Sequence, residues 1–308
     1  MATERDIKRR IRSVKNISQV TRAMEAVSAS KMRRAQAQVE ATRPYARKAH
    51  EVLAFLSHLR STQAAEQPLL QAREIKRVAL LLITADRGLA GGLNSNMIRV
   101  AAHHIQQWQR EGKEVELVTV GRKGRDWMRR YGPPIRAEFT GIGDRPSSSV
   151  LAKVDERAHS KASSVGPIAR IVIEDFVNER YDAVYIGYTR FYNTIRQEPQ
   201  VVQLLPIEII EEEEALPANM AADYIFEPDA PTVLNQVLYS FTEVQILQAL
   251  YEAIASEHSA RMVAMRNATD AAEELIGDLT LTYNKARQQS ITMALLDISG
   301  AVNAVQAR

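Results

Sequence analysis

Residues 21–40, TRAMEAVSASKMRRAQAQVE, contain neither Gly nor Pro and read as helix. The apolar side of that helix is thin. Ala23, Ala26, Ala29 and Ala35 stand among Met24, Val27 and Met32, and Lys31, Arg33 and Arg34 make a tight basic cluster. Working outward, Ile7, Ile11, Val14, Ile17, Thr21, Met24 and Val27 recur at steps of 4, 3, 3, 4, 3 and 3. So narrow a stripe is a seam for one partner helix rather than a face for a broad core. Residues 1–60 hold a single Pro, Pro44, and no Gly. One helix of about 58 residues, roughly 87 Å long, is therefore expected.

The far end repeats the pattern. Leu234, Val237, Phe241 and Val244, then Met262, Met265, Ala268, Ala272, Leu275, Leu279, Tyr283 and Ala286 keep a helical period, interrupted only by Gly277 and Gly300. A helix of about 75 residues would run roughly 110 Å, whereas globular helices average about 11–12 residues. Two such arms do not fold into one small core. A chain that enters by one and leaves by the other pairs them most economically as a long antiparallel coiled coil. The expected organisation is 1–60 as the N-terminal long helix, 77–215 as an α/β domain and 229–308 as the C-terminal long helix.

The middle holds eleven of the thirteen Gly. It alternates a buried strand at Val78–Ile83, a helix near 94–110, a strand in EVELVTVG, a short helix in RKGRDWMRRYG and a possible strand in IRAEF. A helix near 165–179, a strand in DAVYIGYTRF and an edge strand bracketed by Pro199 and Pro206 follow. The alternation implies a mostly parallel, Rossmann-like sheet with helices on both faces. Glu211–Glu214 reads as a solvated loop.

Composition narrows the function. Of 308 residues, 45% are hydrophobic and 25% charged, as in a globular protein, and the net charge is +3. The absence of Cys excludes disulfides, thiol catalysis and Cys-based metal sites. The N-terminus lacks the apolar centre of a secretory peptide, and no run of 18 apolar residues offers a membrane span.

DRGLAGGLN at 86–94 follows a strand and precedes a helix, where a phosphate could sit. Its Gly88, Gly91 and Gly92 do not match the dinucleotide spacing, and no phosphate-loop Lys-Ser/Thr pair accompanies them. The turn is expected to serve glycine conformations, or to dock a partner through Arg87, Gly88, Gly91 and Gly92. His103 and His104 diverge by about 100° on a helix, which is unsuited to a shared metal. Glu257 and His258 have no nucleophile beside them. No catalytic constellation is found, and neither cofactor nor metal is expected on this chain.

Residues 1–48 carry thirteen Lys/Arg against four Asp/Glu. Nucleic acid would suit that excess, but Tyr45 is the only aromatic there to stack a base. A protein partner with acidic surfaces fits better. From Gln288 to Ala307, Asp297 is the only charged residue. A helix uncharged almost all round belongs inside something, and its Gln, Asn and Gly make it too polar for lipid. An enclosing protein sleeve answers the need.

IKRRIRSVKNISQVTRAMEAVSASKMRRAQ (7–36), ADRGLAGGLN and SEHSARMVAMRNATDAAEELIGDLTLTYNKARQQSIT (256–292) together resemble the gamma-subunit family of the F-type, proton-driven ATP synthase. The resemblance covers essentially the whole chain. Ala90, Ala294, Ala301 and Val302 stand where many members have Cys, Glu, Gly and Ala. The resemblance implies a central rotor shaft inside a ring of alpha and catalytic beta subunits, seated on epsilon and on the membrane c-ring. ATP, ADP and Mg would be handled by the partners, at the cytoplasmic face of a bacterial plasma membrane. It further implies beta-subunit contacts at Met24, Lys31, Arg33, Arg34, Arg261, Gln288 and Thr292, and places the 86–92 turn on the epsilon and c-ring side. A nucleotide-dependent enzyme built on the middle domain and a coiled-coil nucleic-acid binder are the competing readings.

Overall fold

Seven residues, Arg77–Ile83, form the central strand β1, and all but Arg77 are buried. A strand covered on both faces reads as a continuous apolar run rather than as an alternation. Around it stand β2 (Glu114–Val120), β3 (Ile135–Phe139), β6 (Ala183–Phe191) and β7 (Gln197–Leu205), in the order β3-β2-β1-β6-β7. The pairs β1/β2, β2/β3 and β1/β6 are parallel, and only the edge strand β7 is antiparallel. Two short strands, β4 (Pro146–Ser147) and β5 (Ser163–Ser164), pair separately in parallel. The helices are α1 (Glu4–Leu59), α2 (Leu93–Arg110), α3 (Arg122–Tyr131), α4 (Gly166–Val177) and α5 (Ala230–Gln306). This computed structural model describes residues 4–59, 67–143, 146–147, 163–208 and 230–306. The expected loop at Glu211–Glu214 lies outside them.

The terminal helices contain 56 and 77 residues, and Pro44 lies inside the first. The chain divides into two units, one made of residues 1–28 and 261–308, the other of residues 29–260.

In the larger unit the alternate side chains of β1 serve two cores. Val78, Leu80 and Leu82 face Met97, Ala101, Ile105 and Trp108 of α2. Ala79, Leu81 and Ile83 join a second layer with Ile168, Val172 and Phe176 of α4, and with Leu234, Leu238, Phe241 and Leu247 of α5. Leu234 and Phe241 therefore belong to the core against the sheet, not to a helix–helix seam alone. Periodicity identifies an apolar face but not what covers it. Tyr251 ties α5 to the small sheet, its hydroxyl donating to the Pro146 carbonyl at 2.6 Å. Two further departures are small: β4 and β5 are too short for a sequence period, and Pro199 lies inside β7 rather than before it. An edge strand tolerates the missing N–H.

In the smaller unit α1 and α5 run antiparallel. Tyr283 donates to Glu4 at 2.9 Å, Thr21 and Thr269 share a hydrogen bond at 2.7 Å, and Arg266 lies 3.6 Å from Glu25. Arg22 is ion-paired with Glu273. As the number rises on α1 it falls on α5.

Candidate partner-binding surfaces

The seam of the smaller unit buries Ile7, Ser18, Thr21 and Ser28 from α1, and Met265, Thr269 and Ala272 from α5. Ile17, Val20 and Val27 are instead 52%, 58% and 55% exposed. The expectation that Ile17 and Val27 lie in the seam is thus corrected, and Leu275, at 46% exposure, leaves it as well. The reason is geometric. From Ile7 to Val27 the apolar steps average about 3.3 residues, whereas two supercoiled helices keep about 3.5 residues per turn of contact. Alternating steps of 4 and 3 from Ile7 reach Ile11, Val14, Ser18, Thr21, Glu25 and Ser28, and this row faces α5. A strict heptad count would have found the buried serines, but hydrophobicity alone passes over them.

Two groups of apolar side chains therefore face outward. On α1, Ile17, Val20 and Val27 flank the half-buried Met24. On α5, Ile291, Met293, Leu295, Leu296 and Ile298 are 49–64% exposed. At 100° per residue these five point all round the helix rather than along one side. Gln288 and Thr292 are exposed on the same face, and the Thr292 hydroxyl donates to the Gln288 carbonyl at 2.9 Å.

Arg33 and Arg34 are exposed and Lys31 is half-buried. Arg261 is only 7% exposed. It is enclosed within its own chain rather than set outward, and such a guanidinium needs partners to offset its desolvation.

The 86–92 turn sits where three parallel strands end, and its Asp86 reaches across to the start of α3 rather than to that of α2. Asp86 accepts from the backbone N–H of Arg122 at 3.1 Å and from that of Gly141 at 2.8 Å. The Ala85 carbonyl accepts from Lys123 N–H at 3.1 Å, and the Thr84 hydroxyl accepts from Gly124 N–H at 2.9 Å. The first amides of α3, which an anion would use, are thereby taken. Gly121, at φ 90°, permits this approach, since a Cβ there would lie 1.9 Å from the Thr84 carbonyl oxygen. In the turn itself the left-handed residues are Gly91, φ 56°, and Leu89, φ 65°. Gly88 and Gly92 are not, so only one of the three glycines meets the expected conformational need. Leu89 is 62% exposed, and Arg87 and Lys123 are exposed nearby.

His104 packs edgewise on His103 and against Trp108, which in turn packs on Tyr185, and burial holds the His104 imidazole below the ordinary value. Its role is in packing. Among the described residues no group of three or more His, Asp or Glu is placed to hold a metal ion, and no helix is long and apolar enough to cross a membrane.

Comparison with known proteins bears on all these features together. The family model described as ATP synthase matches residues 3–305. The ATP synthase gamma chain of Dehalococcoides mccartyi is 47% identical over 305 residues, covering 99% of this chain and 100% of the relative. That of Chloroflexus aurantiacus is 46% identical over 306 residues, covering 99% of each. Among solved structures, a chain of the Euglena gracilis mitochondrial ATP synthase, OSCP/F1/c-ring, superposes with a TM-score of 0.62 at 21% identity, covering 99% of this chain and 95% of that one. A chain of the Tetrahymena thermophila mitochondrial ATP synthase central stalk/c-ring gives 0.59 at 22% identity, covering 81% and 99%. The structural likeness shows the shared fold, and the identity along nearly the full length shows the descent: the chain belongs to the family of ATP synthase gamma chains.

Proposed function

We propose that this chain is the central rotor shaft of a bacterial F-type ATP synthase, and that it carries no catalytic residue itself. It would couple rotation of the membrane c-ring to conformational change in the catalytic beta subunits. The observation that carries the reading is the end of α5, where large apolar side chains point outward all round a single helix. Such a surface is stable in water only when a partner surrounds it. A ring of alpha and beta subunits would do so while leaving the helix free to turn.

Asymmetry would do the work. A shaft presents different side chains to three equivalent beta subunits, so its differential affinity favours one conformation in each at a time. One charge crossing 100 mV yields about 2.3 kcal/mol, so several crossings accumulate for each ATP and the helix pair must transmit torque between them. Met24, Lys31, Arg33, Arg34, Gln288 and Thr292 are assigned to beta-subunit contacts, whereas Arg261, enclosed within the chain, is not. Exposed Arg–carboxylate pairs of about 0–1 kcal/mol suit contacts that form and break on every turn. The turn at Arg87, Gly88, Gly91 and Gly92 would dock toward epsilon and the c-ring. On this reading residues 1–60 and 229–308 serve as the shaft and 77–215 as its foot, peripheral to the cytoplasmic face of the membrane. Nucleotide and Mg would be bound by partners.

Reconstitution with purified alpha and beta subunits tests the reading. A fluorescent rod fixed to this chain should rotate stepwise as ATP is hydrolysed. Equal ATP hydrolysis in assemblies lacking the chain would overturn it.

A further inference from the structure

The five-residue turn between β6 and β7, residues 192–196, presents Ile195 at 89% exposure, more than any other large apolar side chain among the described residues. The turn does not hold it out by looseness. The Asn193 carboxamide oxygen accepts from the N–H of Ile195 at 2.9 Å and of Arg196 at 2.8 Å. The Gln197 amide donates to the Thr194 carbonyl at 2.8 Å, and the Ser259 hydroxyl of α5 donates to the same carbonyl at 2.8 Å. The Ser256 hydroxyl fastens the end of β6, donating to the Thr189 carbonyl at 3.0 Å. An isoleucine on a turn so tied cannot fold back onto its own protein.

Beside it Tyr192 lies between two guanidiniums, Arg190 at 5.1 Å and Arg196 at 4.9 Å from the ring centre. Arg196 is paired with Glu198, while Arg190 makes no ion pair among the described residues. An apolar point with an unanswered, pre-oriented guanidinium at its side matches an apolar pocket edged by carboxylates. Because the order is already present, little entropy is lost on docking.

We propose that the 192–196 turn is a docking knob, in which Ile195 enters an apolar pocket of a partner protein and Arg190 meets a carboxylate at its edge. Through Ser256 and Ser259 the partner's grip would reach α5 directly. The proposal rests on the reading that the chain works within a multi-subunit complex.

The chain contains no Cys, so Ile195→Cys introduces its only thiol. Arg110→Cys, at the exposed end of α2, serves as an accessibility reference. Each is labelled with a water-soluble maleimide, free and in the complex reconstituted with alpha, beta, epsilon and c-ring. The knob requires labelling at 195 to slow at least tenfold on assembly while labelling at 110 slows less than threefold. It also requires that adding Arg190→Gln restore at least half of the lost rate. If the complex assembles and hydrolyses ATP while both thiols react at free-chain rates, or both slow equally, the knob is wrong and the rotor reading survives. No change on Arg190→Gln removes the carboxylate edge. Failure of the unsubstituted chain to assemble removes the rotor reading and this proposal with it. Flotation of the free chain, but not of Ile195→Asp, with phosphatidylglycerol vesicles would make the partner a membrane and overturn the protein pocket.

Discussion

Thr21 and Thr269 place two hydroxyls in the seam with three oxygen contacts between them: each other at 2.7 Å, Ser18 carbonyl at 3.0 Å and Met265 carbonyl at 2.9 Å. Two protons satisfy two of these at once, so removing one hydroxyl leaves the other with an alternative. Thr21→Val is expected to cost about 0.5–1.5 kcal/mol for the lost cross-helix bond, and adding Thr269→Val to cost little more, because neither variant strands a buried hydroxyl. Denaturant unfolding followed by hydrogen exchange at the helix pair measures the difference. Glycine positions separate more sharply. Ala at Gly121 would bring a Cβ to 1.9 Å from backbone at φ 90°, whereas Gly91, at φ 56°, has nothing within 4 Å. Gly121→Ala should cost more than about 4 kcal/mol and Gly91→Ala only about 1–2 kcal/mol, as read from unfolding midpoints.

At the scale of elements, a charge pair ties β2 to the segment entering β6 with a definite pH signature. Arg180 donates to Glu116 of β2 at 2.9 and 3.0 Å, and the Tyr181 hydroxyl donates to it at 2.5 Å. The Arg180 hydrogen bond, against a burial effect that raises it, keeps the Glu116 carboxyl below its ordinary 4.5. A carboxyl depressed in the folded state adds stability that is complete above the unfolded value and is lost as pH falls through the folded one. Glu116→Gln should therefore flatten the loss of stability below pH 4.5 and lower stability at neutral pH, as measured by urea unfolding across pH. Every strand of the large sheet was legible from apolar runs and turns. The seam was legible in existence but not in register, because Ser18 and Ser28 are buried by neighbours on α5 and not by their own hydrophobicity.

For the whole molecule, the exposed stripe at Ile17, Val20 and Val27 carries a direct prediction. Ile17 is 52% exposed, so Ile17→Asp should change the unfolding free energy by less than about 0.5 kcal/mol. If the stripe faces the alpha–beta ring, assembly with those subunits should weaken by tenfold or more, as titrated by ATPase activity. Unchanged assembly would remove the stripe from the interface. The sites were less legible than the fold. Arg261 is a partner contact by the resemblance and is enclosed in the structure, and the Ile195 turn carries no motif that marks it.

Sequence alone determined the long terminal helices and the alternation that builds a parallel sheet between them, because Gly and Pro placement and apolar period are local properties that the chain carries residue by residue, and its motifs at 7–36 and 256–292 carried the resemblance to the family. Tertiary structure decided which apolar residues face inward. Ile17 and Leu234 have similar hydropathy, yet one is exposed and the other lies against the sheet. Burial depends on what a neighbouring element covers, and that neighbour comes from a part of the chain more than two hundred residues away in the seam.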